Sequence, residues 1–213
     1  MRIVKLLLAL SAAAVCSFAQ AGVDASQMRL GAGAFSSVAA TTVTFDDTLP
    51  QGIHYDGGRI VYGTAWNSEY TSPTFDSGAY LAVGDASPTS TVTFGSGRGA
   101  SYFGFYLGTP DSYNSVTFNG SDGSSVTFDG ALLSAYSAST TGGAYYLGVF
   151  STAGTNFTSI VFQSNGNSME TDNHAFVLAP VPEPETYAML LGGLGLIGFT
   201  ARRRRARLAQ RPA

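Results

Sequence analysis

The sequence predicts an all-β fold: a two-sheet antiparallel sandwich, jelly-roll-like, flanked by an N-terminal signal helix and a C-terminal transmembrane helix. Three observations predict the sandwich. One short word recurs, as Thr-Val-Thr-Phe at 42–45 and 91–94, Ser-Val-Thr-Phe at 115–118 and 125–128, and Ser-Ile-Val-Phe at 159–162. Turn-forming clusters separate these words, among them Asn119-Gly120-Ser121-Asp122-Gly123, Asp56-Gly57-Gly58 and Gly142-Gly143. Between residues 22 and 180 no amphipathic helical run of ten or more residues occurs.

In chain order, the first element is residues 1–21, read as a secretory signal peptide. Arg2 and Lys5 give a positive start, Leu6 to Val15 an apolar core, and Ala19-Gln20-Ala21 an A-x-A cleavage site. Ten strongly apolar residues are too few to span a bilayer, which needs about 20. Residues 22–40 read as a mature N-terminal extension with room for a first short strand.

The body, 22–180, follows. In the first four words Val and Phe share one strand face while the hydroxyl residues share the other, the period of a half-buried strand. Ser159-Ile160-Val161-Phe162 is nearly apolar throughout, which predicts a strand covered on both faces. The Val or Ile positions are spaced 49, 24, 10 and 34 residues apart, so the words are strands of one domain and not stacked repeats. Arg59–Gly63, Tyr80–Val83, Ser101–Leu107, Leu132–Ser137, Tyr145–Ser151 and His174–Leu178 are further strand candidates, making about ten short strands in all.

The third segment, 181–213, has three parts in order: Val181-Pro182-Glu183-Pro184-Glu185, the uncharged stretch 186–201, and Arg202, Arg203, Arg204 and Arg205 with Arg207 and Arg211 behind them. The prolines stop structure from running out of the body. Sixteen helical residues reach ~24 Å, slightly short of a ~30 Å hydrocarbon core, so 186–201 predicts a thin transmembrane helix. The arginines act as a cytoplasmic stop-transfer signal and put the body on the outer side.

Pro-Glu-Pro, a short Gly-rich apolar helix and a terminal Arg cluster together resemble the PEP-CTERM sorting signal. The resemblance implies recognition of Val181, Pro182, Glu183 and Pro184 and cleavage by an exosortase, in a Gram-negative bacterium that makes exopolysaccharide. It implies export by the Sec machinery, an inner-membrane intermediate held by the C-terminal helix, and a final place on the cell surface or in the biofilm matrix. The order of Tyr102-Phe103-Gly104-Phe105-Tyr106-Leu107-Gly108, Asp111-Ser112-Tyr113-Asn114, a V-T-F hairpin and Glu170-Thr171-Asp172-Asn173-His174-Ala175-Phe176 resembles a group of exosortase-dependent surface proteins. Their bodies are similar to galactose-binding-like jelly rolls.

Composition narrows the chemistry. Only 12% of the chain is charged, and Gly, Ser and Thr make up a third of it. Lys5 and Cys16 are the sole Lys and Cys, both inside the signal peptide. The body therefore has no Schiff-base or phosphate-loop lysine, no disulfide and no thiolate metal site. Between 22 and 180 stand three cations, Arg29, Arg59 and Arg98, against twelve carboxylates, a net charge of −9. That balance excludes nucleic acid as a partner.

Two site chemistries suit such a body. Asp46 and Asp47 end the first clear strand, and Glu170 and Asp172 precede the last. If those strands lie side by side, the four carboxylates offer oxygen ligands for a structural calcium ion. Tyr62, Trp66 and Tyr113, from an aromatic-rich stretch at 53–113, are the candidates for contact with sugar faces. Catalysis finds little purchase: His54 lies two residues from Asp56, but no G-x-S-x-G or H-E-x-x-H motif is present. The functional expectation is an exported, exosortase-sorted surface or biofilm-matrix protein with a non-catalytic β-sandwich body. The alternative is a lectin-like carbohydrate-binding module that interacts with exopolysaccharide.

Overall fold

The computed structural model describes residue 23 and residues 28–31, 33–65, 69–108, 110–137, 144–180 and 184–209. The signal-peptide segment lies outside the described residues. Among the described residues twelve strands form the body: β1 (Met28–Gly31), β2 (Thr41–Val43), β3 (Ile53–Gly57), β4 (Arg59–Tyr62), β5 (Ala79–Val83), β6 (Thr89–Phe94), β7 (Ala100–Leu107), β8 (Asn114–Gly120), β9 (Ser125–Asp129), β10 (Tyr145–Phe150), β11 (Phe157–Ser164) and β12 (Met169–Leu178). Two helices join them, α1 (Gly130–Ser137) and α2 (Pro184–Ala209).

Every strand pairing is antiparallel. One ladder runs β3-β6-β11-β8-β9. A second runs β1-β10-β7-β12, and the far side of β12 is shared: Met169–Thr171 pair with β5, which carries β4, while His174–Phe176 pair with β2. A single pair, Phe157 opposite Ala100, links the ladders, so the hydrogen-bonded strands form one connected twelve-stranded sheet instead of two separate ones. The pairing of β2 with β12 brings the first recurring word beside the closing strand.

All five words lie in or run into strands, and alternation explains four of them. In β8, Asn114, Val116, Phe118 and Gly120 are buried and the residues between them are half-buried. The hairpin from β8 to β9 turns at 120–124, where Gly120 N–H donates to Ser124 O at 2.7 Å and Gly123 takes a φ of +84°. The fifth word behaves differently from expectation. In β11 only one face is buried, with Val161 half-buried between the fully buried Ile160 and Phe162. Double-sided burial belongs to β5, β7, β10 and most of β12. Segment 33–40 covers part of the outer face there, packing Ala34, Val38 and Ala40 on Tyr102, Tyr106 and Tyr146. Tyr70 covers Val61, Tyr80 and Ala82.

The strand expected at Leu132–Ser137 is helix α1. Asp129 Oδ1 accepts a hydrogen bond from Leu132 N–H at 2.9 Å, the N-cap arrangement. Ala-Leu-Leu-Ser-Ala then has strong helix formers where a strand would want β-branched residues. Leu133 is fully buried beneath the helix, and its carbonyl accepts from the Tyr145 hydroxyl at 2.9 Å.

Candidate functional site

A polar cleft of about 320 Å³ opens between three segments: the loop before β5, the residues before β8 and the start of β12. Thr71, Ser72, Pro73 and Thr74 form one wall, Asp111 and Gly108 a second, and Asn167, Ser168 and Glu170 the third. The loop is held in shape from beneath. Ser72 Oγ donates to Asp76 O at 2.7 Å, Asp76 N–H donates to Pro73 O at 3.0 Å, and the Tyr106 hydroxyl donates to Thr74 O at 2.5 Å. Gly108 N–H donates to Glu170 O at 3.0 Å.

Glu170 is 8% exposed. Its Oε1 accepts from the Ser168 hydroxyl and from Thr71 N–H at 3.1 Å. Burial pushes its carboxyl above the usual range, the bonds from Ser168 and Thr71 hold it back, and the Asp111 charge adds to the rise. Asp111 Oδ2 accepts from the Tyr113 hydroxyl at 2.8 Å, and the same hydroxyl lies 2.6 Å from Asn167 O. Burial and Asp111 push that phenol up to about 12, so it stays a donor. Phe75 follows Thr74 in the loop, 85% exposed and at a φ of +68°, where bulky side chains are rare.

A second carboxylate group lies deeper. Asp46 Oδ1 accepts from Ala79 N–H at 2.8 Å, and Asp76 Oδ1 accepts from Gly78 N–H at 2.9 Å. Asp172, on β12, is 3% exposed. Burial pushes its carboxyl up to about 8; a bond from the Asn173 backbone opposes this, and Asp76 and Asp46 reinforce it. Asp76 Oδ2 and Asp172 Oδ1 are buried without a hydrogen-bond partner among the described residues.

The four carboxylates expected to hold calcium are thus divided. Asp46 and Asp172 come near one another, joined by Asp76, which the sequence did not single out. Asp47 is exposed in the loop after β2, and Glu170 belongs to the polar cleft. Among the described residues no group of three or more His, Cys, Asp or Glu side chains could hold a metal ion.

The sugar candidates are also divided. Tyr113 packs against Gly166 and bonds to two residues of the cleft, Asp111 and Asn167. Tyr62, 65% exposed, stands on the edge strand β4, two strands from β12 in the sheet order, and does not line the cleft. Trp66 lies outside the described residues. His54 and Asp56 are exposed on edge strand β3.

At the C-terminus, Val181, Pro182 and Glu183 lie outside the described residues, and Pro184 opens α2. Pro suits a first helical position because its missing N–H would have no partner there. From Ala188 to Thr200 every side chain of α2 is exposed, as are Arg202 and Arg203, and a Cβ added at Gly192, Gly193, Gly195 or Gly198 would meet nothing within 4 Å. No helix among the described residues is long and apolar enough to cross a membrane. The helix expected over 186–201 is therefore present, but its apolar part ends at the arginines before reaching bilayer length.

No curated protein and no solved structure matches the chain. Residues 180–205, which take in the Pro-Glu-Pro segment, the apolar helix and the four consecutive arginines, match the PEP-CTERM protein-sorting motif, and the match implies exosortase-dependent sorting of the exported chain.

Proposed function

We propose that this chain is an exported surface or biofilm-matrix protein whose C-terminal segment is read and removed by an exosortase, leaving a non-catalytic antiparallel β-sheet body outside the cell. The observation that carries this reading is the motif at 180–205. Residues 1–21 act as the signal peptide for Sec export, and residues 181–213 as a transient address. In that address α2 lies in the inner membrane before processing, with Arg202–Arg205 on the cytoplasmic side. Intact-mass analysis of the protein from its native host tests the reading. The expected product begins near Gly22 and lacks Arg202 to Arg211. A mature mass that retains the arginines overturns it.

A carbohydrate-binding body is the second reading, and the polar cleft favours it. Side-chain carboxylates, hydroxyls and an amide line a cavity within the ~300–1,000 Å³ range of small-ligand sites. Pull-down with the host's own exopolysaccharide separates this reading from a purely structural matrix role: retention supports binding, and clean flow-through favours the structural role.

A further inference from the structure

We propose that the cleft bounded by Thr71, Ser72, Asp111, Asn167 and Glu170 binds a neutral saccharide, with the exposed ring of Phe75 as its stacking face. The inference rests on the carbohydrate-binding reading of the body and is independent of the sorting reading.

Four features of the cleft define this ligand class. First, the lining favours acceptors that match sugar hydroxyls. Glu170 is fixed through Oε1 by Ser168 and Thr71, and its side chain lines the cleft. Asp111 is fixed through Oδ2 by Tyr113. Each carboxylate is oriented through one oxygen and lines the cleft, an arrangement suited to accepting bonds from sugar hydroxyls. Second, the wall is pre-organised. Tyr106 and Ser72 tie the 71–76 loop to the sheet and to itself, so little ordering entropy is lost on binding. Third, Phe75 is out of place as a structural residue. It takes a left-handed backbone conformation, yet it is too exposed for burial to offset the cost. Phe75 directly follows Thr74 of the cleft wall, and an exposed aromatic there gives the C–H face of a pyranose somewhere to stack. Fourth, charge selects within the class. Two carboxylates line the cleft and the body carries −9, so a uronic-acid or sulfated saccharide would be repelled.

The test uses the purified full chain and isothermal titration with neutral hexose oligosaccharides (gluco-, galacto- and manno-series) beside an oligogalacturonate. Binding of a neutral series with the oligogalacturonate at least tenfold weaker is expected. Phe75→Ala and Asp111→Asn should each weaken binding at least tenfold without lowering the melting temperature, since Phe75 is exposed and Asn keeps an acceptor for Tyr113. Tyr62→Ala, on edge strand β4 and outside the cleft lining, should bind like the wild type. If none of the oligosaccharides binds the folded chain, the proposal falls. If Tyr62→Ala abolishes binding while Phe75→Ala and Asp111→Asn leave it intact, this site is wrong although the carbohydrate-binding reading stands. Equal binding of the oligogalacturonate overturns the neutral-saccharide assignment.

Discussion

Asp172 and His174, two residues apart on β12, are both buried and both favour their uncharged forms, so they couple folding to pH in opposite directions. His174 is fully buried among Phe45, Phe103, Phe105 and Phe162, the last stacked on it at 5.1 Å. A neutral ring protonated on Nε2 satisfies both of its contacts: the Tyr55 hydroxyl donates to Nδ1 at 2.9 Å and Nε2–H donates to Thr171 Oγ1 at 2.9 Å. Burial lowers its pKa to about 3, so its stabilising contribution is complete above the unfolded value of ~6.5 and is lost as pH falls toward 3. Asp172 is raised to about 8, so its contribution is complete below the unfolded value of ~3.9 and is lost as pH rises through 8. Between pH 4 and 6.5 the two slopes oppose each other; from 6.5 to 8 only Asp172 acts. The melting temperature of the wild type should therefore fall from pH 6.5 to 8, and Asp172→Asn should flatten that fall; an equal fall in the variant would show that another group carries it. Neither role was legible in the sequence. Sequence reading makes Asp172 a calcium ligand and His174 only a strand residue, because Phe45, Tyr55, Asp76, Phe103 and Phe105, which bury or face them, come from segments about 70 to 130 residues away, and Phe162 from the neighbouring strand β11.

Among the elements, the strands built on the recurring words were legible because a period of two survives in any half-buried strand, and β2, β6, β8 and β9 carry it. The places where reading failed share a cause. Leu132–Ser137 and Ser159–Phe162 are short apolar runs, which periodicity alone cannot assign to helix or strand, or to one covered face or two. The cover came from elsewhere: segment 33–40, read as an extension, lies on β7 and β10 and buries their outer face. For α1, chemistry just ahead of the run decides the outcome. Asp129 caps it, and Gly130 sits so close to the Asp111 carbonyl and the Ser112 backbone that a Cβ has no room. Asp129→Ala should cost about 1 kcal/mol, the usual worth of an N-cap. Gly130→Ala should cost more, about 3 kcal/mol, because backbone must move, even though Ala is intrinsically the better helix former. Denaturant melts of both variants check the order; a stabilising Gly130→Ala would mean that helix propensity, and not the contact with Asp111 and Ser112, governs this junction. The same contact joins α1 to one wall of the cleft, so Gly130→Ala should also weaken any ligand held by Asp111.

Over the whole molecule, charge and packing divide the chain at the same place. Eight of the eleven cations lie in the first 21 or the last 33 residues, and the body between carries −9 with no lysine. The core follows the same division. The buried clusters draw on residues 43–176, and the residues packed against them on 23–178. The side chains of α2 from Ala188 to Thr200 are all exposed, including Leu190, Leu191, Leu194, Leu196, Ile197 and Phe199. An apolar stretch whose described side chains are all exposed contributes little to the stability of the body, since burial of apolar area is what would stabilise it. This is the arrangement expected of a segment that is cut away: the body must keep its fold once the address is gone. The last β-strand supports the same conclusion, because β12 ends at Leu178 and Ala179 N–H is already bonded to Gly99 O at 3.0 Å, closing the sheet before the prolines begin. A chain ending at residue 180 should therefore melt within about 1 °C of the full chain in the same mild detergent, where a loss of 1 kcal/mol would shift it by about 2–4 °C. A drop of about 5 °C or more would show that α2 packs on the body, and would count against a tail made to be removed.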